Sequence, residues 1–98
     1  MATEYNTTLD ANGEIAGPVV CGSDNRLSFH AVITGTITIT VQRSIGESGF
    51  VTTTKPDGST AAVYTASCDG VIDAPGSYQI VASNVTGGTA LVYMLTHR

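Results

Sequence analysis

Ninety-eight residues suffice for one domain with a single core. With 42 % hydrophobic and only 12 % charged residues, the chain has apolar matter to bury and little self-repulsion, which excludes a disordered polyelectrolyte. The net charge of −4 comes with only four basic residues, Arg26, Arg43, Lys55 and Arg98, scattered along the chain. That distribution argues against nucleic acid and against an anionic membrane surface as partners, because both require clustered cations.

The beginning, Met1-Ala2-Thr3-Glu4-Tyr5, has no basic or apolar leader pattern. No apolar run approaches the ~20 residues of a membrane-spanning helix. Synthesis in a host cytoplasm is therefore expected.

In chain order, strand signals recur at short spacing, each closed by Gly, Pro, Asn or Asp. "EYNTTL" (4–9) is followed by a turn at Asp10–Gly13 and by "EIAGPVV" (14–20), where Pro18 lacks a ladder donor and marks an edge position. Residues 1–20 are expected to be an N-terminal arm or edge strands, and 21–98 the main β-domain. "RLSFHAVI" (26–33) sets Leu27, Phe29, Ala31 and Ile33 on one face. After a bend at Thr34-Gly35, "GTITITVQRS" (35–44) sets Ile37, Ile39 and Val41 against Thr36, Thr38 and Thr40.

A loop, "SIGESGF", leads to "FVTTTK" (50–55), and "PDGS" (56–59) signals a hairpin into "AAVYT" (61–65). Past Cys68-Asp69-Gly70, a short apolar step, Val71-Ile72, leads to the turn residues Asp73–Gly76. "SYQIVAS" (77–83) points Tyr78, Ile80 and Ala82 inward. Gly87-Gly88 turns the chain into "TALVYMLT" (89–96), with Leu91, Tyr93 and Leu95 on one face. This predicts an all-β, two-sheet antiparallel sandwich of about eight short strands, immunoglobulin-like or jelly-roll-like. "DAPGSYQIVA" resembles the tyrosine corner of immunoglobulin-like sandwiches, whose Tyr hydroxyl bonds back to the upstream chain. Ile80 in the second-cysteine position and the lack of Trp set it apart from antibody domains.

Chemical signatures are absent. Ser28 and His30 share a strand face, but neither an orienting acid nor a nucleophile elbow accompanies them. The acidic residues sit in or beside turns, where turn geometry accounts for them; a calcium site on Asp69 and Asp73 is a remote alternative. Cys21 and Cys68 read as reduced, packed thiols, and His30 and His97 lack metal-ligand spacing. Neither an enzyme nor a cofactor is expected.

"GTITITVQRS", "GFVTTTKPDGSTAAVYTA" and "APGSYQIVASNVTGGTALVYML" together resemble small all-β virion proteins of tailed bacteriophages, over residues 26–96. Phe50 stands where such proteins commonly carry Trp. The resemblance implies a capsid decoration or cement protein on the outer surface of the assembled head, stabilising contacts between major capsid subunits and grouped as a homotrimer. Its partners would then be the major capsid protein and itself. On that reading two groups of residues are candidate interface: Thr3, Tyr5 and Thr7 of the N-terminal stretch, with Tyr5 as an anchor, and Thr36, Thr38 and Thr40 of the threonine face. A tail, fibre or head–tail connector component and a glycan-binding surface module are the competing readings.

Overall fold

A computed structural model describes residues 3–46 and 49–98. Glu47 and Ser48 of the predicted loop, and Met1 and Ala2, lie outside them. The fold is all-β, antiparallel and sandwich-like, with seven strands among the described residues: β1 (Thr3–Leu9), β2 (Ile15–Cys21), β3 (Arg26–Ser44), β4 (Val51–Thr52), β5 (Val63–Tyr64), β6 (Cys68–Ile72) and β7 (Gly76–His97).

Two strands organise everything else. β3 and β7 are 19 and 22 residues long and pair with each other from Arg26↔His97 to Ser44↔Ser77. The turn signals at Thr34-Gly35 and Gly87-Gly88 do not reverse the chain. They mark a bulge, where Thr36 faces both Thr86 and Gly87 and the register shifts on either side. A bulge adds an unpaired residue and sharpens twist and bend, so one long ribbon serves both layers. Gly35 and Gly87 take left-handed φ values of 76° and 67°, which Gly adopts without steric cost. Gly88 has a different duty: a Cβ there would lie 2.3 Å from the Thr36 carbonyl oxygen.

On one side of the bulge, β1 and β6 extend the ribbon into the order β1–β7–β3–β6; on the other, β2 flanks β7 while β4 and β5 flank β3. Inward residues alternate on either side of the bulge, where Val85 also packs against the core beside left-handed Asn84. Leu27, Phe29 and Ala31 continue as Ile37, Ile39 and Val41 on β3, facing Tyr78, Ile80, Ala82, Ala90, Val92 and Met94 of β7 in one core. Among the described residues β2 pairs with β7 alone, and it carries a register shift between Ala16 and Val19, around Pro18. The edge position that Pro18 predicts is the one it occupies. The short step 71–72 is the end of a longer strand, because Cys68–Ile72 pairs with Ala31–Leu27.

Turns form where the side chains supply partners. The Glu14 carboxylate accepts from the Asp10 and Ala11 amides at 2.7 and 2.9 Å and closes the β1–β2 connection. Those amides hold Glu14 below the ordinary carboxylate range, Asp10's first, while Glu14 beside it pushes Asp10 up. In "PDGS", Asp57 Oδ1 accepts from the Ser59 amide at 2.9 Å and the Ser59 hydroxyl at 2.6 Å. The arms of that hairpin meet through a single bridge, Thr54↔Ala61.

The tyrosine corner forms. Tyr78 is fully buried, and its hydroxyl donates to the Ala74 carbonyl at 2.8 Å. Arg43 Nε donates to the neighbouring Pro75 carbonyl at 3.0 Å, so two side chains clamp the turn into β7. Burial pushes the Tyr78 phenol up, which keeps it protonated and donating. Tyr78→Phe keeps the ring but strands the Ala74 oxygen, and is expected to cost about 1–2 kcal/mol in urea unfolding.

Candidate functional site

The register fixes what the β1–β7–β3–β6 half presents outward. One row runs Glu4–Leu95–Ser28–Val71, the next Asn6–Tyr93–His30–Asp69, and the third Thr8–Leu91–Val32. Inward residues of β7 here are Ala90, Val92 and Met94, so the face carrying Leu91, Tyr93 and Leu95 is the outer one. Leu91, Tyr93 and Val71 are 41 %, 44 % and 48 % exposed, and Val32 and Leu95 are open as well. β7 thus carries an apolar stripe of Leu91, Tyr93 and Leu95, continued onto β3 by Val32 and faced across Ser28 by Val71 of β6, with Glu4, Asn6 and Thr8 of β1 along one side and Ser28, His30 and Asp69 along the other. A depression of about 520 Å³ crosses it between Glu4, Tyr93, Leu95 and Asp69.

Charges around the stripe are lightly engaged. His30 Nδ1 stands 4.0 Å from the Asp69 carboxylate, and its ring lies 6.3 Å from that of Tyr93. Arg26 reaches Asp73 at 3.8 Å. Both pairs are exposed, so each contributes little. Asp69 and Asp73 therefore take different partners instead of converging, and among the described residues no group of three His, Cys, Asp or Glu side chains is placed to hold a metal. Ser28 does meet an imidazole, but that of His97: Ser28 Oγ lies 2.7 Å from Nε2, and Nδ1 lies 3.1 Å from the Arg98 carbonyl. Among the described residues no Asp or Glu side chain is paired with that ring.

The predicted interface residues divide between two places. Thr3, Tyr5 and Thr7 lie on β1, paired with Thr96, Met94 and Val92. Tyr5 packs against the core, so an anchoring role at a partner would require it to leave that contact. Thr36, Thr38 and Thr40 lie on the outer face of the other half: Thr36 is exposed, Thr38 faces Ser83, and Thr40 sits between Val81 and Val63. Gln42 and Gln79 join side chains across this face at 2.7 Å. Near its end a second apolar cluster, Val20, Ile45 and Val51, surrounds Arg43.

The apolar stripe is the feature that residue-by-residue reading passed over. Its signal is present in "TALVYML", which is apolar at odd and even positions alike. A strand of that kind in an antiparallel sheet expects cover on both faces.

Both cysteines are free thiols. Cys21 is buried opposite Gly76, with its Sγ 3.4 Å from the Asn25 carbonyl, whereas Cys68 pairs in the ladder with Ala31. Burial first, then the adjacent Asp69 carboxylate, pushes the Cys68 thiol up to about 11, so almost no reactive thiolate exists at neutral pH.

No family model matches the chain, and no curated protein matches it in sequence. Solved structures do share its fold. A subunit of Bacillus endospore appendages, described as a novel family of disulfide-linked pili, superposes with a TM-score of 0.56 at 13 % identity, over 99 % of this chain and 86 % of that one. A chain from the acid-stable capsid of Helicobacter pylori bacteriophage KHP30 gives 0.50 at 12 % identity, over 97 % and 86 %. At these identities the likeness is one of fold. The chain thus has an all-β architecture that also occurs in a phage capsid and in a spore-surface pilus.

Proposed function

We propose that this chain is a structural component of a bacteriophage virion, and specifically a decoration or cement protein on the outside of the assembled head. The observation that carries the reading is the exposed stripe of Val32, Leu91, Tyr93, Leu95 and Val71 on a rigid sheet. Contiguous apolar patches rimmed by polar residues mark sites of association. The fold shared with a phage capsid chain supports the virion setting.

On this reading the stripe contacts the major capsid protein. Thr36, Thr38 and Thr40 are the candidates for packing on sister subunits of a homotrimer, where hydroxyls and methyls are buried at modest desolvation cost. A component that binds the expanded shell and not its precursor stabilises the expanded form by mass action. Several modest contacts held in one oligomer then reinforce each other. The chain performs no chemistry and holds no cofactor in this role.

The test is co-sedimentation of purified protein with expanded heads and with unexpanded precursors of the phage that encodes it, alongside native mass spectrometry. Saturable binding to expanded heads is expected, with a mass of three subunits, or of six where trimers pair. Binding to neither head form, with a hexameric or dodecameric ring in the spectrometer, would favour the connector reading.

A further inference from the structure

We infer that the outer edge of β1 pairs antiparallel with the same edge of a second copy of this chain, about a two-fold axis passing through Asn6. The inference is independent of the shell position proposed above, since this edge belongs to neither of the two faces discussed there.

The direction of the β1 backbone groups follows from contacts at the opposite edge of the sheet. In an antiparallel ladder the N–H and C=O of one residue point to the same side, and the side alternates along the strand. The Ile33 amide donates to Ser67 Oγ at 2.8 Å, beside the start of β6, so odd-numbered residues of this part of β3 address β6. Ser28, His30 and Val32 then address β7 at Leu95, Tyr93 and Leu91. Ala90, Val92 and Met94 are left to bond Leu9, Thr7 and Tyr5 of β1. Glu4, Asn6 and Thr8 consequently turn their N–H and C=O groups away from the sheet. Asp10, next in that series, confirms the direction: its amide leaves the ladder to reach Glu14. Among the described residues no strand pairs with this edge.

An open edge is ordinarily guarded by Pro, Lys, a bulge or brevity. The other edges here are guarded in those ways. β2 has Pro18 and a register shift, β4 and β5 are 2 residues each, and β6 is 5 residues long with Asp69 in it. β1 runs 7 residues in unbroken register, with neither Pro nor Lys and with Glu4 as its single charge.

The occupant follows from register and charge. Hydrogen-bonded pairs must join outward-turned residues, so Glu4, Asn6 and Thr8 have to meet the same set in the partner. Asn6 against Asn6 with Glu4 against Thr8 engages every one of them. A slip that places Glu4 against Glu4 sets like charges face to face and loses bonds, which is unfavourable. A slip the other way needs the Asp10 amide, already held by Glu14. One register therefore engages all three outward-turned residues with the same three of a second copy. The pairing would also carry the row Asp69–His30–Tyr93–Asn6 directly into its two-fold mate, making one continuous sheet of both domains.

Cysteine cross-linking reads that register directly. In a Cys68→Ser background, Asn6→Cys is expected to form a covalent dimer under mild oxidation, since facing residues of a bonded pair lie ~5.5 Å apart, within disulfide reach. Glu4→Cys, ~14 Å from its symmetry mate in this register, is expected to form no covalent dimer, whereas Glu4→Cys combined with Thr8→Cys cross-links. Asn6→Pro removes an outward amide, which an edge strand tolerates, and is expected to halve the mass of the assembly in native mass spectrometry without lowering the unfolding midpoint by more than a few degrees. A folded Asn6→Cys protein that forms no covalent dimer, or that cross-links no better than Glu4→Cys, overturns the inference.

Discussion

Gly88→Ala is expected to be the most damaging single-methyl change in the chain, costing at least ~3 kcal/mol, at or above the upper end of overpacking penalties. The added Cβ would lie 2.3 Å from the Thr36 oxygen, 2.4 Å from its carbonyl carbon and 2.8 Å from its nitrogen. All three are backbone atoms, so no rotamer change relieves the contact. Relief requires β3 and β7 to separate at the bulge, which is where the ribbon passes from one layer to the other. A domain of this size has about 5–15 kcal/mol in total, so much of its stability is at stake. Gly87→Ala is the control: nothing stands within 4 Å of its Cβ position, and only the left-handed φ of 67° is penalised, at about 1–2 kcal/mol. Urea unfolding followed by tyrosine fluorescence compares the two. Equal midpoints for the variants would mean that the bulge is not closely packed.

The second large effect concerns binding and leaves stability almost untouched. Leu91→Thr combined with Tyr93→Thr strips the centre of the exposed stripe while placing residues of high strand propensity there. Both side chains point away from the core, so unfolding is expected to shift by less than ~1 kcal/mol. If the stripe is the contact to the head, these residues occupy its centre, where truncations cost ~2 kcal/mol or more apiece. The pair is then expected to weaken binding to expanded heads by on the order of a thousandfold. Thr38→Ala with Thr40→Ala, on the other half, is expected to leave head binding within a few-fold and to shift the monomer–trimer balance. Co-sedimentation against a concentration series separates these outcomes. Head binding unchanged by the Leu91 and Tyr93 substitutions would remove the stripe from the contact.

Much of the local structure is legible in single motifs, because their chemistry is short-range. "DAPGSY" encodes the Tyr78–Ala74 bond, "PDGS" encodes the Asp57–Ser59 turn, and Pro18 marks its edge. What sequence could not reveal is how far a strand continues. A glycine pair such as Gly87-Gly88 reports that the backbone bends, and a hairpin and a bulge require the same residues. The choice between them depends on pairing across the chain, here Thr36 with Thr86 and Gly87, so two predicted pairs of short strands became β3 and β7. Strands 50–55 and 61–65 shrank for the converse reason: the tip of the "PDGS" hairpin stands off the ladder, while Val51–Thr52 and Val63–Tyr64 pair with β3 and Thr53 and Ala62 bond Val41.

The candidate site was less legible than the fold. Threonine alternation in "TITIT" drew attention because it is regular, and it places Thr36, Thr38 and Thr40 on the outer face of their half of the sheet. The apolar stripe hid in "TALVYML", where both faces are apolar and periodicity cannot say which looks inward. Side-chain size is a poor guide, since the small Ala90 and Val92 are buried while Leu91 and Tyr93 are exposed. Only the register across β1, β7, β3 and β6 gathers Val32, Leu91, Tyr93, Leu95 and Val71 into one surface.

A cryo-EM reconstruction of the particle that incorporates this chain tests the central claim most directly. The account predicts sandwich-shaped density on the outside of the head, with the face bearing Leu91 and Tyr93 turned toward the major capsid lattice. Density confined to the tail, or a head-bound domain with that face open to solvent, would contradict it.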